Sequence, residues 1–199
     1  MSTTVLAAAV EQYTTGTVTT AGFALGLALL GTEHYRWYKG GGGGGKGKKG
    51  APDVAAGPAR DPKALIPYWF GIACGILMVA CPAGLLGTGG GVLRWGGNGA
   101  GGWVMGTMTG QHATTMASAA APGLDSYGAV VVTALVIALW FLRKNIAKAA
   151  KGKWKKGVLT GCLLCISTGT AAFIAAQVVG GANGIGALVL NGAATWSPA

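Results

Sequence analysis

Two runs of this chain, "SYGAVVVTALVIALW" from Ser126 and "VLTGCLLCISTGTAAFIAAQVVGG" from Val158, carry no charge, while "FLRKNIAKAAKGKWKKG" between them holds seven positives and no acid. This alternation constrains the fold more than any other feature. An uncharged apolar run of about 17 to 25 residues is what a helix needs to cross a hydrocarbon core of about 30 Å. In water the same runs would all have to be buried, and a chain of 199 residues with 10% charged side chains has little polar surface to cover them with; average soluble domains carry about 25%.

Four runs meet the length test: Thr15 to Gly31, Ala64 to Leu86, Ser126 to Leu142 and Val158 to Gly180. They predict an all-α membrane protein, a small bundle of four transmembrane helices joined by Gly-rich loops. Loops rich in Lys and Arg stay on the cytoplasmic side. Of the fifteen positives, seven fall between Arg36 and Lys63, seven between Arg143 and Lys156, and only Arg94 lies elsewhere. Both termini are therefore expected outside. The expected order is an outer N-terminus with the first helix (1–31), a cytoplasmic Gly/Lys-rich linker (32–63), the second helix (64–86) and an outer Gly-rich loop (87–125). The third helix (126–142), a basic cytoplasmic turn (143–157), the fourth helix (158–180) and an apolar outer tail (181–199) complete it.

Aromatic residues prefer the headgroup level, and Tyr35, Trp37, Tyr38, Tyr68, Trp69, Trp140 and Trp154 all fall near the expected inner ends. The opening segment has no positive charge ahead of its apolar run, so the first helix reads as a retained anchor rather than a cleaved signal. A bacterial cytoplasmic membrane is the expected location.

The basic turn supplies the candidate contact residues Arg143, Lys144, Lys148, Lys151, Lys153, Lys155 and Lys156. Each positive near an anionic leaflet contributes on the order of 1 kcal/mol, so anionic headgroups are the first expected partner. The same lysines would attract the phosphates of a nucleic acid, though no recognition module accompanies them. The run "GGGGGKGKKG" lacks the spacing of a phosphate-binding loop and reads as a linker.

Small residues four apart let helix backbones approach. They occur at Gly22 and Gly26, Gly71 and Gly75, Ala134 and Ala138, and Gly157 and Gly161, and predict packing faces within the bundle or between copies in a homo-oligomer or with other membrane subunits. The four cysteines, Cys74, Cys81, Cys162 and Cys165, lie within the apolar runs. There a zinc site would require costly thiolates, so they read as small packing residues. The five acids all fall outside the apolar runs, as do both histidines. Ionisable groups inside the membrane mark ion and proton pathways, so no catalytic set, cofactor or metal is expected.

The Gly and Ala bias with Lys-rich inner loops resembles the small multi-pass membrane proteins of actinobacterial conjugative plasmids and phages. Over Tyr127 to Gly180, two apolar helices joined by a short basic turn are similar to the hairpin of type IV secretion pilins. That likeness implies a role in DNA transfer or secretion, with the seven positives of the turn facing a lumen. The chain departs from the pilin pattern by two further helices and a long Gly-rich loop. The expected function is a non-enzymatic membrane component of a multi-protein machine, with a holin-like pore former as the alternative.

Overall fold

The computed structural model describes residues 15–39, 62–82, 84–115, 123–142, 148–166 and 169–195. Among them are six α-helices: α1 (Thr20–Tyr38), α2 (Ile66–Ala80, entered through the 3-10 turn Pro62–Leu65), α3 (Gly84–Thr109), α4 (Ser126–Leu142), α5 (Lys148–Leu164) and α6 (Gly169–Thr195). The protein is all-helical. Two stretches, Pro62–Ala80 and Ala171–Thr195, are long and apolar enough to cross a membrane by length and composition.

Several expected boundaries move. The first helix continues through Tyr38, because nothing in "TEHYRWY" breaks it. The outer loop expected over 87–125 is helical to Thr109: its glycines lower helix propensity, but packing against three other helices outweighs that cost. The fourth apolar run is divided, with α5 ending at Leu164 and α6 starting at Gly169. The basic turn is helical from Lys148, and the expected outer tail is helical to Thr195.

The ends have local causes. Thr19 caps α1, its Oγ1 accepting from Gly22 N at 3.0 Å, and Asp125 caps α4, its Oδ1 accepting from Gly128 N at 2.7 Å; both satisfy an amide with no partner inside its helix. Pro82 disfavours helical backbone at the residue before it, and Cys81 is extended (φ −68°, ψ 119°). Helix resumes at Gly84, whose φ of +82° glycine adopts at no steric cost.

At the centre, α2 and α5 run parallel and cross through glycines. A methyl group added at Gly71 would stand 3.0 Å from Gly157 Cα, and one added at Gly157 would stand 3.0 Å from Gly71 Cα. One turn further on, Gly75 faces Val158 O and Cys162 N, while Gly161 faces the Ile72 backbone. Ile72, Ile76, Leu77 and Val158 are buried around this crossing, as are Tyr68, Cys162 and Leu163.

These contacts come in pairs. Tyr68, Gly71, Ile72, Cys74, Gly75 and Leu77 of α2 match Trp154, Gly157, Val158, Thr160, Gly161 and Leu163 of α5 at one constant separation along the chain. The pairing extends outward. Asn98 Oδ1 of α3 accepts from Thr19 N at 3.0 Å, and Asn183 Oδ1 of α6 accepts from Asp125 N at 3.3 Å. Gly101 lies against Ala21 and Gly22, as Gly186 lies against Tyr127 and Gly128. The molecule is thus a duplicated unit of three helices, α1-α2-α3 and α4-α5-α6, related by a pseudo-two-fold axis through the glycine crossing.

In each unit the long third helix leaves the C-terminal end of the second. Along α3, Gly87 and Gly90 meet the end of α2, Gly97 meets Leu163 of α5, and Gly101 meets the start of α1. The four helices α1, α2, α4 and α5 therefore form a bundle, and α3 passes across one end of it.

Filling the crossing should separate cleanly from ordinary glycine replacement. Gly157→Ala is expected to destabilise by about 1–3 kcal/mol through overpacking. Gly152→Ala, where nothing lies within 4 Å, should gain about 0.5–1 kcal/mol from helix propensity. Unfolding in detergent followed by circular dichroism measures both.

Candidate functional site

The most unusual side chain is Arg94, in the middle of α3 and only 1% exposed. Its Nε donates to Cys162 O at 2.9 Å, and its Nη1 and Nη2 donate to Gly16 O and Cys165 O. The last carbonyls of a helix have no partner inside it and carry the negative end of its dipole. Arg94 thus closes the C-terminal end of α5 where the fourth apolar run breaks, and ties that end to the segment preceding α1. A planar guanidinium suits this task because its donors fan out in a fixed geometry, which an ammonium does not match.

Arg94 has no counterpart in the other half. At the matching position of α6 stands Val179, 2% exposed and packed in the apolar core. The end of α2 is closed without an arginine: Cys81 N and Sγ both donate to Leu77 O at 3.2 Å, and Leu124 N of the other unit donates to Ala80 O at 3.1 Å.

A second polar cluster lies at the opposite end of the bundle. Glu33 of α1 is buried, with Oε1 2.6 Å from Lys156 Nζ and 3.5 Å from Arg36 Nη1. Tyr68 OH donates to Thr160 Oγ1 at 3.0 Å, and Thr160 Oγ1 donates to Lys156 O at 2.9 Å. The His34 ring lies edge-on to Trp69, with centroids 5.4 Å apart. In the duplicated pair, Trp154 and Cys74 replace Tyr68 and Thr160, and the buried indole Nε1 has only the Cys74 thiol, a weak acceptor, beside it among the described residues.

Of the seven candidate contact positives, Arg143 and Lys144 lie outside the described residues, and Lys148 and Lys151 stand at the start of α5. Lys153 Nζ donates to Ala64 O at 2.9 Å, holding α5 to the entry of α2. Lys156 pairs with Glu33, and Lys155 is exposed. Three of these positives therefore occupy one end of the bundle, and two of the three brace helices against each other.

Among the small-residue positions, Gly71, Gly75, Gly157 and Gly161 meet one another. Gly22 receives Asn98, and Gly26 lies against Leu163 and Leu164. These six are used inside one chain and are not open to another copy. Ala134 and Ala138 are exposed on α4. The cysteines are free thiols: Cys74 and Cys162 pack in one apolar cluster, and Cys162 Sγ lies 3.5 Å from Gly75 O.

Sequence reasoning set Arg94 aside as a stray positive in an outer loop and missed Asn98 and Asn183. Signals for both exist. Arg94 is the only charge between Lys63 and Asp125, and the pattern Asn-Gly-x-Gly occurs at 98–101 and again at 183–186.

Arg94→Met removes the donors and leaves carbonyls of Gly16, Cys162 and Cys165 without them. Hydrogen bonds to charged groups contribute about 1.5–3 kcal/mol each, so the variant should lose much of the fold's stability, and Arg94→Lys should recover only part. Cys165, now 0% exposed, should become reactive to maleimide in the Met variant under conditions where the wild-type thiol is protected. No known protein-family model matches the chain, and neither a characterised protein nor a solved structure is similar to it.

Proposed function

We propose that this chain is a non-enzymatic integral membrane subunit, with α1, α2, α4 and α5 crossing the bilayer and the basic end of the bundle in the cytoplasm. The observation that carries this reading is the segregation of polarity along the bundle. Arg36, Lys39, Lys63, Lys153, Lys155 and Lys156 stand at one end, while many of the exposed large side chains along α3 and α6 are apolar and no Lys or Arg is exposed there. Leu85, Trp103 and Met108 on α3 and Phe173, Leu188 and Val189 on α6 are all more than half exposed. In water that surface would be a liability; against acyl chains it is the expected exterior.

Dimensions support the same reading. From Glu33 to Thr20, α1 rises about 20 Å at 1.5 Å per residue. A helix laid across the far end of the bundle adds about 10 Å more. Together these match a hydrocarbon core of about 30 Å; α3 lies in the outer leaflet, and so does α6, which is long and apolar enough to span but is held at the start of α4 by the contact of Gly186 with Tyr127 and Gly128. Arg94 then sits within the membrane, which is affordable because its donors are taken by backbone carbonyls.

The role is structural rather than conductive. Among the described residues the axis of the bundle is closed by backbone contact at the glycine crossing, which argues against a pore along it. The basic rim faces cytoplasmic partners, anionic headgroups in the first place and nucleic acid in the second. Contact with other subunits falls to the exposed face of α4, where Ala134 and Ala138 lie among Val130, Ile137 and Phe141. The likeness to conjugative and phage membrane proteins points to a machine for DNA transfer or secretion.

Thiol labelling on intact cells tests the orientation. With an impermeant maleimide, Gln111→Cys should label and Gly152→Cys should label only after permeabilisation. The reverse pattern, or equal labelling, would reject the topology. Expression should leave the membrane potential intact; an abrupt collapse would favour the pore former instead.

A further inference from the structure

The two halves also depart from their symmetry in how the first helix of each docks. In the first half, α1 docks closely on α5: Gly26 admits Leu163 and Leu164, and the Glu33–Lys156 ion pair clamps the inner end. By the pairing that matches Thr19 with Asp125 and Gly22 with Gly128, the position of Gly26 on α4 is held by Val132. The matching ion pair is replaced by Leu139 and Phe70. Val132, bulkier than glycine, packs against α2 at this position, and among the described residues no ion pair draws the inner ends of α4 and α2 together.

The consequence is a cleft of about 600 Å³ between α2 and α4. Phe70, Met78, Val132, Leu135 and Leu139 line it, Trp154 closes the inner wall, and Lys155 stands at its rim. Small-molecule sites commonly fall between about 300 and 1,000 Å³ and are mostly apolar with a few placed polar groups. No acid is among the lining residues, and Glu33, the buried acid of this end, already serves Lys156 and Arg36. Lys155 is exposed and lies at the level where the proposed inner leaflet has its headgroups.

We propose that this cleft holds one acyl chain of an anionic phospholipid, with the phosphate at Lys155. The proposal rests on the membrane reading above. It assigns the missing half of the symmetric packing to lipid: where α1 fills the groove against α5, an acyl chain fills the groove between α4 and α2. An anionic headgroup is specified because the one charged residue of the lining is Lys155, and no acid among the described residues pairs with it.

The test uses the full chain reconstituted in equimolar phosphatidylcholine and phosphatidylglycerol. Flotation of the vesicles comes first, then mild extraction and native mass spectrometry. The wild type should carry a single retained phosphatidylglycerol. Val136→Trp combined with Leu139→Trp fills the cleft from α4 and should abolish retention. Lys155→Gln should keep a lipid but lose selectivity for the anionic one by about five-fold. If the double variant loses helicity, Ala150→Trp closes the same cleft from α5 and takes its place. Failure to float would reject the membrane reading itself. A chain that floats but retains no lipid, or whose filled variants retain as much as wild type, overturns only this proposal. So does a cross-link between Leu139→Cys residues of two copies, which would give the cleft to a neighbouring chain.

Discussion

The structure depends on how closely two backbones can approach. Where α2 and α5 cross, Gly71, Gly75, Gly157 and Gly161 leave no side chain between the helices, and each glycine lies against the other helix's main chain. Such an approach gathers dispersion contacts, small per atom pair and large in sum, which in the proposed membrane setting is the main attraction left, because acyl chains are as apolar as leucine. The crossing supplies it at the shortest possible range. It also sets the distance at which Tyr68 reaches Thr160, and it brings the ends of α2 and α5 side by side, where a third helix can lie across both.

That arrangement raises a problem which the two halves solve differently. A helix that stops inside a protein exposes carbonyl groups that must find donors. At the end of α2 the chain turns through Cys81 and Pro82, and Cys81 donates back from backbone and thiol. At the end of α5 the turn is made by Cys165 and Ile166, and Arg94 is delivered from the other unit to take the carbonyls. Each end is also closed from the other unit, by Leu124 N donating to Ala80 O at the end of α2 and by the Arg94 side chain at the end of α5. The two units are therefore interlocked as well as packed.

Much of this was legible in the sequence, for physical reasons. Charge segregation and run length gave the all-helical class, since those properties are additive along a chain, but not the break that divides the fourth apolar run between α5 and α6. The small-residue spacing marked glycines that the fold brings together at the crossing. The helix over Gly84–Thr109 was hidden, because its glycines read locally as a linker and only contacts with distant segments make it a helix. Arg94 was hidden for the same cause: its meaning lies in carbonyls of residues 16, 162 and 165, far away in sequence. The repeat escaped because it is carried by backbone-contact positions and capping groups rather than by similar side chains, with Thr19 answering to Asp125 and Tyr68 to Trp154.

The duplicated unit has one further consequence. Each copy begins and ends at the same end of the bundle, so a second copy joined behind the first enters with the same orientation and places its own cations beside those of its predecessor. No inversion has to be accommodated. Joined in tandem, such a module can grow by whole copies without reversing polarity, and the first sites free to diverge are those where a pair need not match: an arginine opposite a valine, a tight groove opposite an open one.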